Sequence, residues 1–497
     1  MGSTYSYIAA TFAAVVLGGA LYLQHVGRAL SQVPPEAPVR YTDEEILRTA
    51  KELESTPVDV RPFLGERTGR RYIVVGGSGF VGQWMVLHLL ARGESAARIR
   101  ILDLRAPPRL ELANAGVAFV QTDITDPASV RAAFAAPWPE GAPALEHGLT
   151  VFHAASLLRF IERAAFLLPA ITAINVGGTQ HVLAAAREAG ASVLVYTSSG
   201  SVGVRNISLW VAPWQRVPTG FFQKLDDRDE GFPQKHEEFF ANYALTKARA
   251  EDVVRAADGV EGMRTVSLRP ANGIYGIGGD SLADAYLHRE TNPSWIHHII
   301  QNSICVENCS IAHLQAEAAL LRSPATVGSN AYYITDPNPP ITYGDMYRVL
   351  SLLSGGRVTF PAVPGGVLLA LAHAIEALHL LRARGLPLPR VPGELVLLQP
   401  STFALTTRHL SFDDSRARKA PEDGGFGYRA PYTSLQALVW TAVKHEEARE
   451  RERREGVKGR REVNYGMGSA HVGVAAGPVR ADSATQVPLA APKTKTD

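Results

Sequence analysis

Arg71-Tyr72-Ile73-Val74-Val75-Gly76-Gly77-Ser78-Gly79-Phe80-Val81-Gly82 is a β-branched run that feeds glycines at positions 76, 79 and 82. Beyond it the apolar periodicity becomes helical through Trp84, Val86, Leu87, Leu89 and Leu90. The stretch therefore reads as a strand, a tight turn and a helix N-terminus. Glycine suits that turn because the backbone must bend sharply and let a pyrophosphate approach without a Cβ in the way. The unpaired N–H groups of the first helical turn then face the anion.

About twenty residues further on, Arg98-Ile99-Arg100-Ile101-Leu102-Asp103 is a second strand ending in a carboxylate, where a dinucleotide-binding fold places the group that holds the adenosine ribose hydroxyls. Asp103 favours NAD over NADP. Arg105, two residues later, could accept a 2′-phosphate and keeps NADP as the lesser alternative.

At 497 residues the chain has room for roughly two to three domains, and a net charge of +2 offers no electrostatic footprint for nucleic acid. Its two cysteines, Cys305 and Cys309, are too few for a zinc site and suit a reducing compartment, so no metal is implied. From Tyr7 to Leu23 the sequence is apolar and uncharged, near the lower limit of about 17 residues for crossing a bilayer. Arg28 follows this run and no basic residue precedes it, which makes it an anchor with the catalytic part on the cytoplasmic side rather than a cleaved signal. Pro34-Pro35-Glu36-Ala37-Pro38 reads as a linker, and Thr42-Asp43-Glu44-Glu45 as the capping box of a short helix.

Strands and helices then alternate. Val117–Val120 precedes Gln121-Thr122-Asp123-Ile124, Leu149–Phe152 precedes His153-Ala154-Ala155-Ser156, and Ser192–Tyr196 precedes Thr197-Ser198-Ser199-Gly200. Each small or polar cluster follows the carboxyl end of a strand, where an open α/β sheet gathers ligand contacts. The fold class expected is α/β: a doubly wound, Rossmann-type parallel sheet, a smaller C-terminal α+β substrate domain and an N-terminal membrane helix. The expected division is an anchor over 1–30, a linker with a short helix over 31–69, a dinucleotide-binding domain with the catalytic residues over 70–278, a substrate-side domain over 279–443, and a charged helix end with a disordered tail over 444–497.

Asn242-Tyr243-Ala244-Leu245-Thr246-Lys247 reads as helix, so Tyr243 and Lys247 share one face. Oxidising a secondary alcohol requires a base for the hydroxyl proton as the hydride leaves. A tyrosine serves if its pKa falls from about 10 towards 7, about 4 kcal/mol of phenolate stabilisation, which a nearby ammonium favours. Ser199, with Ser198 as the fallback, would hold the substrate oxygen.

These residues resemble the extended short-chain dehydrogenases, most closely the 3β-hydroxysteroid dehydrogenase and sterol-4α-carboxylate 3-dehydrogenase branch. The likeness rests on the glycine turn, Asp103, Asp123-Ile124, His153–Ser156, Asn175-Val176-Gly177-Gly178-Thr179, Tyr196–Ser199, Tyr243–Lys247, Leu268-Arg269-Pro270-Ala271-Asn272-Gly273-Ile274-Tyr275-Gly276 and Val306-Glu307-Asn308. The resemblance implies a Ser199, Tyr243, Lys247 catalytic set. It also implies dinucleotide contacts at Gly76, Gly79, Phe80, Val81, Gly82, Asp103, Asp123, Ile124, Ala154, Ala155, Lys247 and Pro270.

The expected activity is NAD-dependent oxidation of a 3β-hydroxyl on a steroid or sterol, with decarboxylation following if the substrate is a 4-carboxysterol. A carbonyl reductase using NADP, a nucleotide-sugar epimerase or dehydratase, and an idle NAD-binding membrane scaffold are the alternatives. The partners expected are a small apolar substrate and membrane lipid, with a homodimer allowed and no nucleic acid. The place expected is an internal membrane, the endoplasmic reticulum, with the catalytic domain facing the cytosol. Between Ser199 and Tyr243 the chain is longer than the family pattern and carries Trp210, Trp214, Phe221, Phe222 and Phe232, which suit either a lid over an apolar ligand or a packed insertion. His297 and His298 have no acid partner in sequence and read as structural. The helix from Val367 to Leu381 reads as packed on the domain, with a membrane-surface position as the alternative.

Overall fold

Alternation along Arg71–Val75 decides how both faces of the molecule are filled. The protein, described as a computed structural model over residues 2–34, 40–139, 147–280 and 282–455, is built on seven parallel strands. In chain order these are β1 (Arg71–Val75), β2 (Ile99–Asp103), β3 (Ala118–Gln121), β4 (Leu149–His153), β5 (Ala191–Thr197), β6 (Arg264–Pro270) and β7 (Ala331–Ile334). Their spatial order is β7-β6-β5-β4-β1-β2-β3. The order reverses between β1 and β4, which opens the crevice in which such sheets bind ligands.

The helices that position the site are α1 (Gly2–Leu30), α2 (Asp43–Ser55), α3 (Phe80–Ala91), α4 (Gly178–Glu188), α5 (Asn242–Ala256), α6 (Ala283–Arg289), α7 (Val306–Arg322), α8 (Gly365–Ala383) and α9 (Ser434–Arg454). Tyr72 and Val74 of β1 face one way and pack with Met85, Val86 and Leu89 of α3 and Ile311 and Leu314 of α7. Ile73 and Val75 face the other way, onto Val182 and Leu183 of α4 and Val254 of α5. Two-sided burial is why these strands read as continuous apolar runs.

Residues beyond 279 contribute to two layers. β7 extends the central sheet and α7 covers it, whereas α6, α8 and α9 belong to a second apolar core. A four-stranded sheet joins Phe222–Leu225, from the segment after Ser199, to His409–Phe412 in parallel, and continues through Ile300–Gln301 and Ile341–Thr342. The capping box at Thr42 forms as its spacing predicts, with Glu45 N donating to Thr42 Oγ1 at 3.2 Å and Thr42 N to Glu45 Oε2 at 2.8 Å. Apart from Pro34, the expected linker at Pro34–Pro38 lies outside the described residues, as does the expected tail from residue 456.

The N-terminal helix is exposed along Tyr5 to Leu21 and docks only through its C-terminal end, where Val26, Ala29 and Leu30 are buried. By length and composition α1 and α8 are both able to cross a membrane. They touch at a close crossing where a Cβ on Gly366 would fall 2.1 Å from the Leu23 carbonyl oxygen. The aromatic segment after Ser199 divides its side chains among several neighbours. Trp210 stacks on Tyr22 at 6.0 Å and donates to His373 Nε2 at 3.0 Å. Phe221 is buried against His409, Phe232 packs beside Tyr333, and Trp214 stays 83% exposed. Much of the segment is therefore a platform for α1, α8 and the small sheet rather than a continuous lid.

Candidate active site

The glycine turn has the geometry that a dinucleotide cradle needs. Gly76 takes φ +81°, and a Cβ there would lie 2.5 Å from Ala155 N; a Cβ on Gly82 would lie 2.2 Å from the Gly76 carbonyl oxygen. Only hydrogen fits in either place, so the turn hugs both α3 and the end of β4. Gly79 caps α3, and Phe80 and Val81 are its first residues. Ala154 and Ala155 both donate their N–H groups to Val75 O, at 2.8 and 3.0 Å, which seats the β4 exit loop against the turn.

Asp103 ends β2 beside this turn. Its Oδ2 accepts from Ser78 N at 3.1 Å and its Oδ1 from Leu104 N at 2.7 Å. Burial raises its carboxyl above the ordinary value, with the backbone donors working against that rise. Arg105 is exposed. Asp123 is also exposed and accepts from Thr125 N at 2.9 Å, while Ile124 presses on Gly178. Pro270 closes β6, and a Cβ on Gly200 would come within 2.8 Å of its carbonyl oxygen. A glycine turn that leaves no room for a Cβ, with the Asp103 carboxylate beside it, fits a nicotinamide dinucleotide.

The residues expected to be catalytic lie at the carboxyl end of β5 and on α5. Lys247 is 1% exposed, donates to Thr197 O at 2.6 Å, and lies 4.3 Å from the centre of the Tyr196 ring. Burial lowers its pKa to about 7, against the raising influence of Glu251. Tyr243 is 9% exposed, and burial pushes its phenol up to about 12, opposed by a hydrogen bond with Ser199. The direction for the phenol is the reverse of the depression that proton abstraction requires, because the apolar wall penalises a phenolate.

The two serines differ sharply in partner. Ser199 Oγ is 2.8 Å from Ser201 Oγ and shares a hydrogen bond with Tyr243, whereas Ser198 Oγ donates to Glu251 Oε2 at 2.5 Å.

Several residues that hold this arrangement were not singled out for it in sequence. Glu251 lies one helical turn beyond Lys247 and takes Arg269 as well as Ser198, which ties α5 to β6 and β5. Helical spacing from Tyr243 through Lys247 was the available signal, but nothing in sequence told an inward Glu from a solvated one. His313 Nε2 meets Thr197 Oγ1 at 2.8 Å, and Asn175 Oδ1 accepts Leu157 N at 2.7 Å while its Nδ2 donates to Thr246 Oγ1 at 3.1 Å. These bonds fix the strand end and the loop after β4. His297 and His298 each bond a backbone carbonyl, Phe360 O at 3.0 Å and Leu30 O at 2.7 Å, which is a structural use. Both cysteines are free and buried.

A cleft of about 430 Å³ opens on the segment after Ser199, lined among others by Arg163, Arg205, Ser208 and Glu238. Its lining includes none of Ser199, Tyr243 and Lys247. Arg163 at its rim is clamped to Glu376 of α8 by two bonds of 2.6 Å.

Comparison with known proteins agrees with this geometry. Residues 73–358 match the 3-beta hydroxysteroid dehydrogenase/isomerase family. The 3 beta-hydroxysteroid dehydrogenase type 7 of Homo sapiens is 30% identical over 374 residues, covering 70% of this chain and 94% of its own. The 3beta-hydroxysteroid-dehydrogenase/decarboxylase isoform 2 of Arabidopsis thaliana is 27% identical over 414 residues, 78% of this chain and 64% of its own. Among solved structures, a UDP-glucose 4-epimerase from Thermotoga maritima superposes with a TM-score of 0.51 over 76% of this chain and 99% of that one. At 16% identity this likeness concerns the fold. The chain belongs to the 3-beta hydroxysteroid dehydrogenase/isomerase family and is a nicotinamide-dependent oxidoreductase acting on CH–OH groups.

Proposed function

We propose that this protein oxidises the 3β-hydroxyl of a sterol or steroid to the ketone, with NAD as the acceptor. The observation that carries the reading is the buried Tyr243 phenol, hydrogen-bonded to Ser199 at the end of β5, in the same sheet as the glycine turn. Ser199 would bind the substrate oxygen and Tyr243 would take its proton. The C3–H bond breaks with its electron pair leaving as hydride, and the carbonyl forms as the O–H bond is lost. An oxidised nicotinamide, when bound, would supply the hydride acceptor and a positive charge. Lys247, already held by the Thr197 carbonyl, would add its ammonium to that field and hold the nicotinamide ribose.

The name of the Arabidopsis relative supports a second, narrower reading, in which the substrate carries a 4-carboxylate. Oxidation at C3 then produces a β-keto acid, which loses carbon dioxide without a further catalytic group. In our reading α1 anchors the chain in an internal membrane, the endoplasmic reticulum, with the site on the cytosolic side where free NAD is found, and an apolar substrate can reach it from the bilayer.

Full-length protein in detergent is expected to reduce NAD in the presence of 3β-hydroxysterols and to act poorly on nucleotide sugars. A panel of sterols, 4-carboxysterols and sugar nucleotides, followed by the absorbance of the reduced nicotinamide, checks this. No turnover of any sterol would overturn it. Asp103→Ala is expected to weaken NAD by roughly tenfold or more, the effect of a charged hydrogen bond, while NADP changes little. Equal loss for both cofactors would remove Asp103 from ribose recognition.

A further inference from the structure

The fold brings together three side chains from α6 and α9 that no part of the dehydrogenase site uses. A carboxylate oxygen of Asp284 and a ring nitrogen each of His288 and His445 lie within 4.8 Å of one another. Asp284 and His288 stand one turn apart on α6, so the helix presents both to the same side. His445 reaches them from α9, which packs across α6. All three are partly accessible to solvent, with side-chain exposures of 19%, 20% and 10%. An ion could therefore enter.

The bonding within the cluster is poor for a simple ion pair. His445 Nδ1 is 3.4 Å from Asp284 Oδ1. Well-formed N–H···O bonds run at about 2.7–3.2 Å. A separation near 3.3 Å is instead the edge of a tetrahedron whose metal–ligand bonds are about 2.0 Å. His288 Nδ1 lies 2.8 Å from the Asp284 backbone carbonyl, so the carbonyl holds that nitrogen as N–H. Its Nε2 lone pair is then free to bind. This is the second-shell arrangement that orients a metal-ligating histidine. The His288 and His445 rings meet edge to face, at 87° and 4.5 Å between centres, which directs their nitrogens along different lines.

Neighbouring cations are engaged elsewhere. Arg289 pairs with Glu394 at 2.7 Å, Lys444 with Glu447 at 2.8 Å, and Arg357 with Glu290 at 3.0 Å. Asp284 is left with the two histidines as its ion-pair partners.

We propose that Asp284, His288 and His445 bind a divalent zinc ion, with water in the fourth position. Two imidazoles and one carboxylate form a borderline donor set that zinc accepts. The ion would fasten α9 to α6. Its influence would extend to the dinucleotide crevice, because Asp280 ties α6 to the preceding loop, accepting from Gly276 N at 2.7 Å and from Asp284 N at 3.2 Å. That loop accepts the Trp84 indole N–H from α3 at Ile277 O, 2.9 Å away. The ion would thus brace the wall that faces α3.

Chelator-treated full-length protein in detergent, titrated with zinc chloride by calorimetry, is expected to take up one equivalent and to melt at a higher temperature. Asp284→Asn, His288→Gln and His445→Gln should each weaken zinc binding at least tenfold and abolish the thermal shift, with circular dichroism checking that each variant is folded. Cobalt chloride added to the wild-type protein should give the intense visible bands of a tetrahedral site, a readout that requires no variant. Absence of stoichiometric zinc uptake, zinc binding unchanged in the variants, or the pale spectrum of octahedral cobalt would each overturn the proposal.

Discussion

Tyr243→Phe is expected to lower kcat for sterol oxidation by roughly 10²–10⁴-fold, the usual contribution of a positioned acid–base group, while NAD still binds. The substitution removes one oxygen from a side chain whose ring is already packed, so the fold should survive it. Burial holds the Tyr243 phenol at about 12, well above neutral pH. Proton abstraction requires the deprotonated form, so the wild-type rate of alcohol oxidation should rise with pH, approaching tenfold per pH unit below the operating pKa. The Phe variant should lose that dependence. Steady-state rates between neutral and alkaline pH, with NAD binding followed by fluorescence, check both parts. A variant that retains the wild-type rate and slope would exclude Tyr243 as the base.

Arg269→Met is expected to destabilise the protein by about 3–5 kcal/mol, the cost of stranding one member of a buried ion pair. Arg269 and Glu251 have side-chain exposures of 2% and 3%. Arg269 Nε donates to both Glu251 carboxylate oxygens, at 3.1 and 3.0 Å, and the guanidinium also meets Asp229 at 2.7 Å. Burial acts against the guanidinium charge, and the Glu251 carboxylate outweighs it, holding the group above its ordinary value. Without Arg269, Glu251 would retain Ser198 as a donor but would have no buried cation in direct contact. Adding Glu251→Leu to Arg269→Met should restore much of the loss, because removing both charges is far less costly than removing one. Thermal melts of the single and double variants test this. A single variant that melts with the wild type would show that the pair contributes nothing to holding α5 against β6.

Much of the architecture was legible because its causes are local. The runs that become β1, β2, β4 and β5 are buried on both faces and so carry a largely apolar signal, interrupted in β2 by Arg100. The capping pattern at Thr42 started a helix where it predicted one, and the periodicity from Ser434 to Arg454 forms a single helix. The glycine turn was legible for a different reason: positions 76 and 82 exclude a Cβ and leave glycine as the one residue that fits.

The segment after Ser199 illustrates what was not legible. Its aromatic residues suggested either a lid or a packed insertion, yet Trp210 stacks on Tyr22 from the far N-terminus and Phe221 meets His409. Contacts across such distances depend on which elements the fold makes neighbours, and local pattern carries no record of them. The different surroundings of Ser198 and Ser199 were hidden for the same reason. Adjacent serines look alike in sequence, but at the strand end one bonds Glu251 and the other is bonded to Tyr243.

Sequence by itself determined the parallel α/β sheet and the glycine pattern of the turn after its first strand, because alternation, helical period and Cβ exclusion act within a few residues, whereas the strand order and its reversal point came from the tertiary structure. Tertiary structure alone decided the partners of buried charges, the direction of the Tyr243 phenol's pKa, and the meeting of Asp284 and His288 with His445. The two cysteines had given no reason to expect a metal ion. A group of donors drawn from α6 and from α9, more than a hundred residues apart along the chain, arises only when packing brings the helices together, and burial sets proton affinity only once the walls around a group exist.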